Sequence, residues 1–349
     1  MNIITEGKAK IKASIGKITA KMDVFYNPVM KLNRDISVLM LKVKGKKMKI
    51  ADPLAASGVR ALRFLLETRN VESIAINDSS GKAVESIIGN IKLNEKGLKK
   101  LKQKIEVYNK DANLFLLEHA GSFDYIDIDP FGNPNNFLDA AVKRIAKVGI
   151  LAVTATDTSA LAGTFPEACR RKYWANPLRN EEMHEIGLRI LIRKVQLVAG
   201  QYEKALIPAL SYATEHYYRV FFECVKGKKN VDAVLRQHGM YKGAGPLWLG
   251  RLWDRKVADA AWKEAVKADM KEAAELLGAI REEARIDAVG FHDIHALCKK
   301  HKVSRIPKQD DIIKKIKSKG YAANRTHFNG WGIRSAVPEK ELLFILRNC

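Results

Sequence analysis

Cysteine is scarce in this chain. Only Cys169, Cys224, Cys298 and Cys349 occur, and no two form a C-x-x-C pair. Neither a disulfide framework nor a zinc knuckle is expected from so few. The reducing cytoplasm is the compartment expected. Long apolar runs are missing too. None approaches the roughly 18 to 20 residues of a membrane helix, so no membrane association is expected. Residues 1–21 hold no apolar stretch of signal-peptide length. Internal repeats and low-complexity segments are likewise absent. Acidic residues are outnumbered, 39 Asp+Glu against 61 Lys+Arg, for a net charge of +22. Such an excess points to a polyanionic partner, nucleic acid being the commonest, with general solubility as the plain alternative. What is present suffices for a packed core: 47% of the residues are hydrophobic and 29% charged. At roughly 150 residues per domain, the 349 residues suggest about two domains.

Residues 1 to about 225 alternate short β-type runs with helical patterns, which predicts a parallel α/β sheet. Strands are expected at 49–52, 73–78, 105–108, 123–129, 149–156 and 217–225, with helices over 57–68 and 83–94. A helical stripe of Ile186, Ile190, Leu191, Val195, Val198 and Tyr202 predicts a helix over 185–205. Residues 226–256 are turn-rich and carry eight Lys+Arg against two Asp. A long helix is predicted over 257–285, because Ala, Glu, Lys and Leu dominate there without proline. Two helices, two extended runs and a final helix follow, the order of a small winged-helix-like unit. The domains expected are therefore 1–256 and 257–349.

The sharpest local feature is Asp127-Ile128-Asp129-Pro130-Phe131-Gly132. A buried strand seldom carries two carboxylates at alternate positions, because an unpaired buried charge is costly. The carboxyl edge of a doubly wound sheet is where ligands bind. An acid, a proline and an aromatic ring there resemble the signature of methyltransferases acting on exocyclic amines. An aryl amine's lone pair is delocalised into its ring. A carboxylate that accepts its N–H, helped by a backbone carbonyl, favours the geometry that frees the lone pair, while an aromatic ring stacks on the base. An ordinary strand-to-loop turn is the plain alternative.

The turn after the first strand, Asp52-Pro53-Leu54-Ala55-Ala56-Ser57-Gly58, is built of small residues that let a ligand approach the backbone. It lacks the G-x-G-x-x-G glycines of a pyrophosphate cradle, which favours the looser pocket of S-adenosylmethionine. Asp78 ends the next strand, placed to accept from ribose hydroxyls. Asp111 ends the third, placed to accept from an adenine amino group with the Ala112 backbone beside it. Each acid alone is more often a helix cap or turn residue; three in register at successive strand ends argue for a site. Phe25 reads either as a core anchor or as a second stacking wall. Arg34 reads either as a surface ion pair or as a partner for a cofactor carboxylate.

Beyond these residues, ordered blocks span nearly the whole chain. They include Glu6-Gly7-Lys8-Ala9, residues 24–30 with Leu32-Asn33-Arg34-Asp35, residues 55–60 and 127–132, and residues 153–158. His184-Glu185-Ile186-Gly187, residues 245–250 and Arg325-Thr326-His327-Phe328 complete the set. In combination the chain resembles the archaeal and eukaryotic tRNA guanine-N2 dimethyltransferases that act at position 26. The resemblance implies a class I methyltransferase fold (Rossmann-like), S-adenosylmethionine as methyl donor, and tRNA as substrate, with no obligate protein partner evident. It implies Asp129 as catalytic carboxylate with the Pro130 carbonyl, and Phe131 and Phe25 stacking on guanine. Arg34, Asp78, Asp111 and Ala112 would line the cofactor site, with Arg60 or Arg63 from the matched helix. Many relatives carry two Cys pairs before the Gly-Pro-Leu-Trp-Leu-Gly block as a zinc site. Here residues 225–244 have none and His238 stands alone, so no metal is expected. Another departure is Asn329-Gly330-Trp331 after the Arg-Thr-His-Phe block.

The rival activities are a different guanine or adenine amine in RNA, or a non-catalytic RNA-binding protein of the same fold. The positive charge is no removable tail: residues 1–256 hold 43 Lys+Arg against 26 Asp+Glu, and residues 257–349 hold 18 against 13.

Overall fold

The computed structural model describes residues 2–13, 26–99, 102–214, 216–303 and 305–348. A hairpin of β1 (Asn2–Glu6) and β2 (Ala9–Ala13) precedes α1 (Lys31–Lys44). Strands and helices then alternate through β3 (Met48–Asp52), α2 (Val59–Glu67), β4 (Val71–Asn77), α3 (Gly81–Leu93), α4 (Glu95–Leu98), β5 (Lys104–Tyr108) and α5 (Ala112–Glu118). They continue with β6 (Phe123–Ile128), α6 (Asn135–Arg144), β7 (Ile145–Ala155), α7 (Thr158–Leu161), α8 (Pro166–Tyr173) and α9 (Met183–Gly200). The hairpin β8 (Lys204–Ala213) and β9 (Tyr218–Lys226) completes one sheet of order β5-β4-β3-β6-β7-β9-β8. This is the Rossmann-like, doubly wound arrangement expected from the alternating pattern.

Two details differ from expectation. The sheet is not wholly parallel, because β9 runs antiparallel to both β7 and β8. A short turn between β8 and β9 permits only antiparallel pairing; a parallel neighbour needs a crossover of a dozen residues or more. The helix expected over 185–205 stops at Gly200, and β8 follows where no strand is expected. Chain order reverses between β3 and β6, which lie side by side with Ile50 opposite Tyr125 and Ala51 opposite Ile126. The carboxyl ends of these two strands therefore flank the switch point where doubly wound sheets bind ligands.

The basic segment folds as α10 (Lys228–Leu235) and a hairpin of β10 (His238–Tyr241) and β11 (Ala244–Trp248). Several of its bases are committed internally. Lys242 pairs with Glu182 at 2.7 Å, Arg251 with Asp287 at 3.0 Å, and Arg255 donates to the Ala284 carbonyl at 3.0 Å. The long helix expected over 257–285 is two, α11 (Arg255–Lys267) and α12 (Lys271–Glu283). They are broken where Asp269 takes a left-handed conformation (φ 52°). Alanine-rich faces of this pair (Ala258, Ala261, Ala265, Ala273) join the same core as the sheet, with α11 packed on α1.

The remaining elements are β12 (His292–Asp293), α13 (Ile294–Lys300), α14 (Gln309–Ser318), β13 (Ala323–Thr326), β14 (Asn329–Ser335) and α15 (Glu339–Arg347). They enclose their own core of Ile294, Ile312, Ile316, Ile333, Leu342 and Ile345 around a sheet of order β12-β14-β13. A boundary at residue 257 would cut α11 and α12 from the core they fill. We propose a boundary near residue 290 instead.

The small unit is anchored to the larger one by buried ions. Arg334 donates to Glu185 at 2.6 Å and Glu283 at 2.9 Å, all three fully buried. Arg189 joins Glu185 at 2.8 Å, and His327 and Thr326 reach Glu283, each at 2.6 Å. Burial opposes the Glu185 carboxylate, but Arg334 and Arg189 outweigh it and hold its pKa down to about 2. Glu283 is lowered in the same way, by His327 and Arg334 against its burial. A carboxylate lowered on folding contributes stability that is present above its unfolded pKa and lost as pH falls through the folded one. Here that window runs from the ordinary 4.5 down to about 2. Trp253 packs against His327 and Phe328 at this junction. Its fluorescence should stay constant from neutral pH to about 5 and change below it. A transition centred near neutral pH would contradict this assignment.

Candidate active site

The site is built on the carboxyl end of β6. Asp127 is fully buried and held from three sides. Arg219 of β9 donates to both its oxygens at 2.9 and 2.7 Å, and the Tyr125 hydroxyl donates at 2.7 Å. The Arg60 guanidinium of α2 lies 3.4 Å away. Burial opposes the Asp127 charge, yet Arg219 and Arg60 outweigh it and lower its pKa. Arg219 also donates to Thr154 at 2.8 Å and Ser37 at 2.9 Å. Two carboxylates on this strand are thus explained: one anchors a polar network inside the fold, the other leaves it.

Asp129 is the one that leaves. Arg60 donates to its Oδ2, and the side chain retains 16% exposure. Arg60 is itself fixed by Asn33 at 2.8 Å and Ser37 at 2.9 Å from α1. Burial opposes its charge, but Asp127 and Asp129 outweigh it and raise its pKa. The order Arg219, Asp127, Arg60, Asp129 is a relay of position from the sheet interior to the site. Pro130 is buried behind Asp129, while Phe131 is 58% exposed. Gly132 (φ 81°) turns the chain, and its N–H donates to Thr156 Oγ1 at 2.7 Å while Thr156 N–H donates back to the Gly132 carbonyl at 2.8 Å. The loop bearing Phe131 is therefore clamped to the end of β7.

The neighbouring strand ends form a second cluster. Asp78 Oδ2 accepts from Ala56 N–H at 2.8 Å and Oδ1 from Ser80 N–H at 2.9 Å, which fixes the small-residue turn after β3. Ala56 and Gly58 both have positive φ (49° and 73°), and a Cβ at Gly58 would come within 3.2 Å of Ile87. Asn77 ties the three strand ends together, donating to the carbonyls of Pro53 and Lys110, each at 3.0 Å. Asp111 caps α5 through Oδ1, bonded to the N–H groups of Asn113 and Leu114, and stays exposed; Ala112 is buried beside it.

The arginines separate. Arg63 has every nitrogen on an acid: Nε and Nη2 on Glu67, Nη1 on Glu6 at 3.0 Å and Asp35 at 2.6 Å. Arg34 places Nε on Glu6 at 2.7 Å and Nη2 on Glu6 and the Asn27 carbonyl. Of these three arginines, Arg60 alone reaches Asp129. Phe25 lies outside the described residues.

Sequence reasoning missed Asp52. It ends β3 at the switch point, 3% exposed, and its Oδ2 is buried without a hydrogen-bond partner. Burial pushes its pKa up to about 7, with Arg60 opposing and Asp127, Asp129 and Asp78 adding repulsion. An orphaned buried carboxylate oxygen calls for a donor from outside the chain. Its signal in the sequence was the acid at a strand end, the rule applied to Asp78 and Asp111. Among the described residues there is no group of His, Cys, Asp or Glu suited to a metal, and no helix is long and apolar enough to cross a membrane.

The chain is similar to known proteins along nearly its whole length. A family model described as N2,N2-dimethylguanosine tRNA methyltransferase matches residues 2–243 and 239–347. A tRNA (guanine(26)-N(2)/guanine(27)-N(2))-dimethyltransferase of Aquifex aeolicus is 40% identical, over 98% of this chain and 95% of that protein. A tRNA (guanine(26)-N(2))-dimethyltransferase of Methanocaldococcus jannaschii is 38% identical, over 95% of this chain and 94% of that one. Among solved structures, the complex of Trm1 from Pyrococcus horikoshii with S-adenosyl-L-methionine superposes with a TM-score of 0.91 at 36% identity, covering 99% of this chain and all of that one.

Proposed function

The chain belongs to the N2,N2-dimethylguanosine tRNA methyltransferase family, and on that premise we propose how its own residues carry the activity. It is a tRNA (guanine-N2) dimethyltransferase that uses S-adenosylmethionine. We take guanosine 26 as its target. The observation that carries the assignment is Asp129, held by Arg60 at the switch point and followed by Pro130 and Phe131.

The residues at the three strand ends fit the cofactor. The orphaned Asp52 oxygen would accept from its ammonium group, and Arg34 Nη1 would donate to its carboxylate. Asp78 would accept from the ribose hydroxyls, and Asp111 with the Ala112 N–H would meet the adenine. Arg63, committed to Glu6, Asp35 and Glu67, would shape the wall behind them. When bound, S-adenosylmethionine supplies a methyl group already activated on a sulfonium.

Asp129 and the Pro130 carbonyl would each accept one N–H of the guanine amine, which localises the lone pair on N2 and aims it. Phe131, clamped through Gly132 and Thr156, would lie flat on the guanine, with Phe25 as the opposite wall. Each methylation removes one proton from N2, and Asp129 would receive it. After the first round a single N–H remains, so the second relies on one acceptor and on the stacking walls. Positioning, rather than strong base chemistry, supplies the rate. The reducing cytoplasm is the compartment we propose, consistent with buried free Cys169, Cys224 and Cys298.

The assignment is tested with unmodified tRNA transcripts and labelled S-adenosylmethionine. Label should enter a transcript with guanosine 26 and be lost when that base is adenosine. Full labelling of the adenosine transcript would move the target elsewhere; residual labelling would point to a neighbouring guanosine.

A further inference from the structure

The small C-terminal unit carries an aromatic pair, exposed Trp331 on half-buried His295, that none of the chemistry above uses. The Trp331 ring lies on the His295 ring, centroids 3.8 Å apart and planes 24° from parallel, yet Trp331 is 51% exposed. His295 takes one face, and no second ring contact to Trp331 is present among the described residues. Trp331 lies near the start of β14, in the stretch before Ile333 where the pairing with β13 shifts register, and Ile333 itself is fully buried.

The backbone carrying this ring is rigidly held. Trp331 N–H donates to Asn329 Oδ1 at 2.7 Å, and Asn329 in turn donates to Asp293 at 2.8 Å. Asp293 caps α13, the helix of His295, through Ala296 N–H at 2.8 Å. Gln309 of α14 fixes the Gly330 carbonyl at 3.1 Å. Both rings are thus set by one hydrogen-bonded frame. On the His295 side of the pair opens a cleft of about 590 Å³, lined by His295, Lys299, Lys302, Val303, Ile306 and Glu181. Lys299 and Lys302 are without an ion pair among the described residues. Asp293, the other acid there, is occupied by Asn329 and the helix cap.

We propose that Trp331 and His295 form a stacking platform for an unpaired base of the tRNA, whose backbone phosphates lie on Lys299 and Lys302. A preorganised aromatic face with adjacent cations is the chemistry by which single-stranded nucleotides are gripped without sequence reading. The hairpin turn of this unit cannot serve that purpose. Its Thr326, His327 and Phe328 are packed against Glu283, Trp253 and Phe291. The platform lies at the other end of β14 from the buried Arg334. It deepens the tRNA reading above and rests on it.

The test uses the full-length protein and an unmodified tRNA transcript. Trp331→Ala should raise the Kd for tRNA, and its KM in methyl transfer, roughly 5- to 150-fold, the range for loss of one base–aromatic stack. kcat and the KM for S-adenosylmethionine should not change. Trp331→Phe should retain most of the affinity. Lys299→Ala combined with Lys302→Ala should lower the slope of log Kd against log salt by about 0.7 to 0.9 for each phosphate left without its lysine. Trp331→Ala binding tRNA within about twofold of the wild type would overturn the platform, and would leave the face to a protein partner. Equal loss in Trp331→Ala and Trp331→Phe would overturn stacking as its basis. A wild-type protein that methylates no tRNA would instead refute the activity itself, a separate and recognisable failure.

Discussion

Replacing Asp129 with Ala should lower methyl transfer to guanine by roughly 10² to 10⁴-fold, the contribution of a positioned acceptor and base. The loss should be in chemistry and not in folding. Arg60 keeps Asp127, Asn33 and Ser37 when Asp129 is gone, so no buried guanidinium is stranded. Cofactor binding and tRNA binding should be nearly unchanged. Asp129→Asn should be about as impaired as Asp129→Ala. Its amide oxygen would turn to Arg60, which donates to Oδ2 in the native protein, and that would present an N–H to an amine already full of N–H groups. Single-turnover rates on bound transcript measure this. A rate for Asp129→Ala within about tenfold of the wild type would remove the carboxylate from the mechanism.

Arg219→Leu should cost about 3 to 5 kcal/mol of stability, because it leaves Asp127 buried without its principal counter-ion. Tyr125 and the more distant Arg60 would remain, neither of which replaces two direct guanidinium bonds. The pH dependence of that cost carries a sign. In the native protein Arg219 and Arg60 lower the Asp127 pKa against its burial. Without Arg219 the burial is far less opposed and the pKa rises. The variant's native state then takes up a proton more readily than its unfolded state. Its deficit relative to the wild type should be smallest in mild acid and grow as pH rises through the new pKa. Urea denaturation of both proteins across that range measures it. The activity should fall too, since Asp127 sets Arg60 and Arg60 sets Asp129. A pH-independent deficit of under about 1 kcal/mol would mean Asp127 finds another partner or water.

Particular residues show how much of this could be read from sequence. The sheet was legible because its strands end in turn residues and its helices repeat their apolar positions. Asp78 and Asp111 were found by one rule, acids at successive strand ends, and Asp129 by the proline and aromatic ring that follow it. The same rule, applied to Asp52, would have added the residue whose oxygen is left without a partner. What composition could not provide was the pairing of distant residues. Arg60 meets Asp129 across 69 positions and Arg219 meets Asp127 across 92. Nothing local distinguishes Arg60 from Arg63 three residues on, and only packing sends one to Asp129 and the other to Glu6, Asp35 and Glu67. The break between α11 and α12 was hidden for a related reason. Asp269 adopts a left-handed conformation in a run without proline whose one glycine, Gly278, lies beyond the break, and the two alanine faces gain more by folding back on α1 than by continuing straight. The late strands were misjudged because β8 continues the apolar composition of α9, and a hairpin partner alone reverses β9.

The most direct test is mass spectrometry of nucleosides from an unmodified tRNA incubated with S-adenosylmethionine and either the wild type or Asp129→Ala. The account predicts N2-methylguanosine and then N2,N2-dimethylguanosine with the wild type, assigned to position 26 by nuclease fragments, and roughly 10² to 10⁴-fold slower formation of both with the variant. Methylation at a ring nitrogen or on adenosine, or an equal yield from the variant, would contradict it.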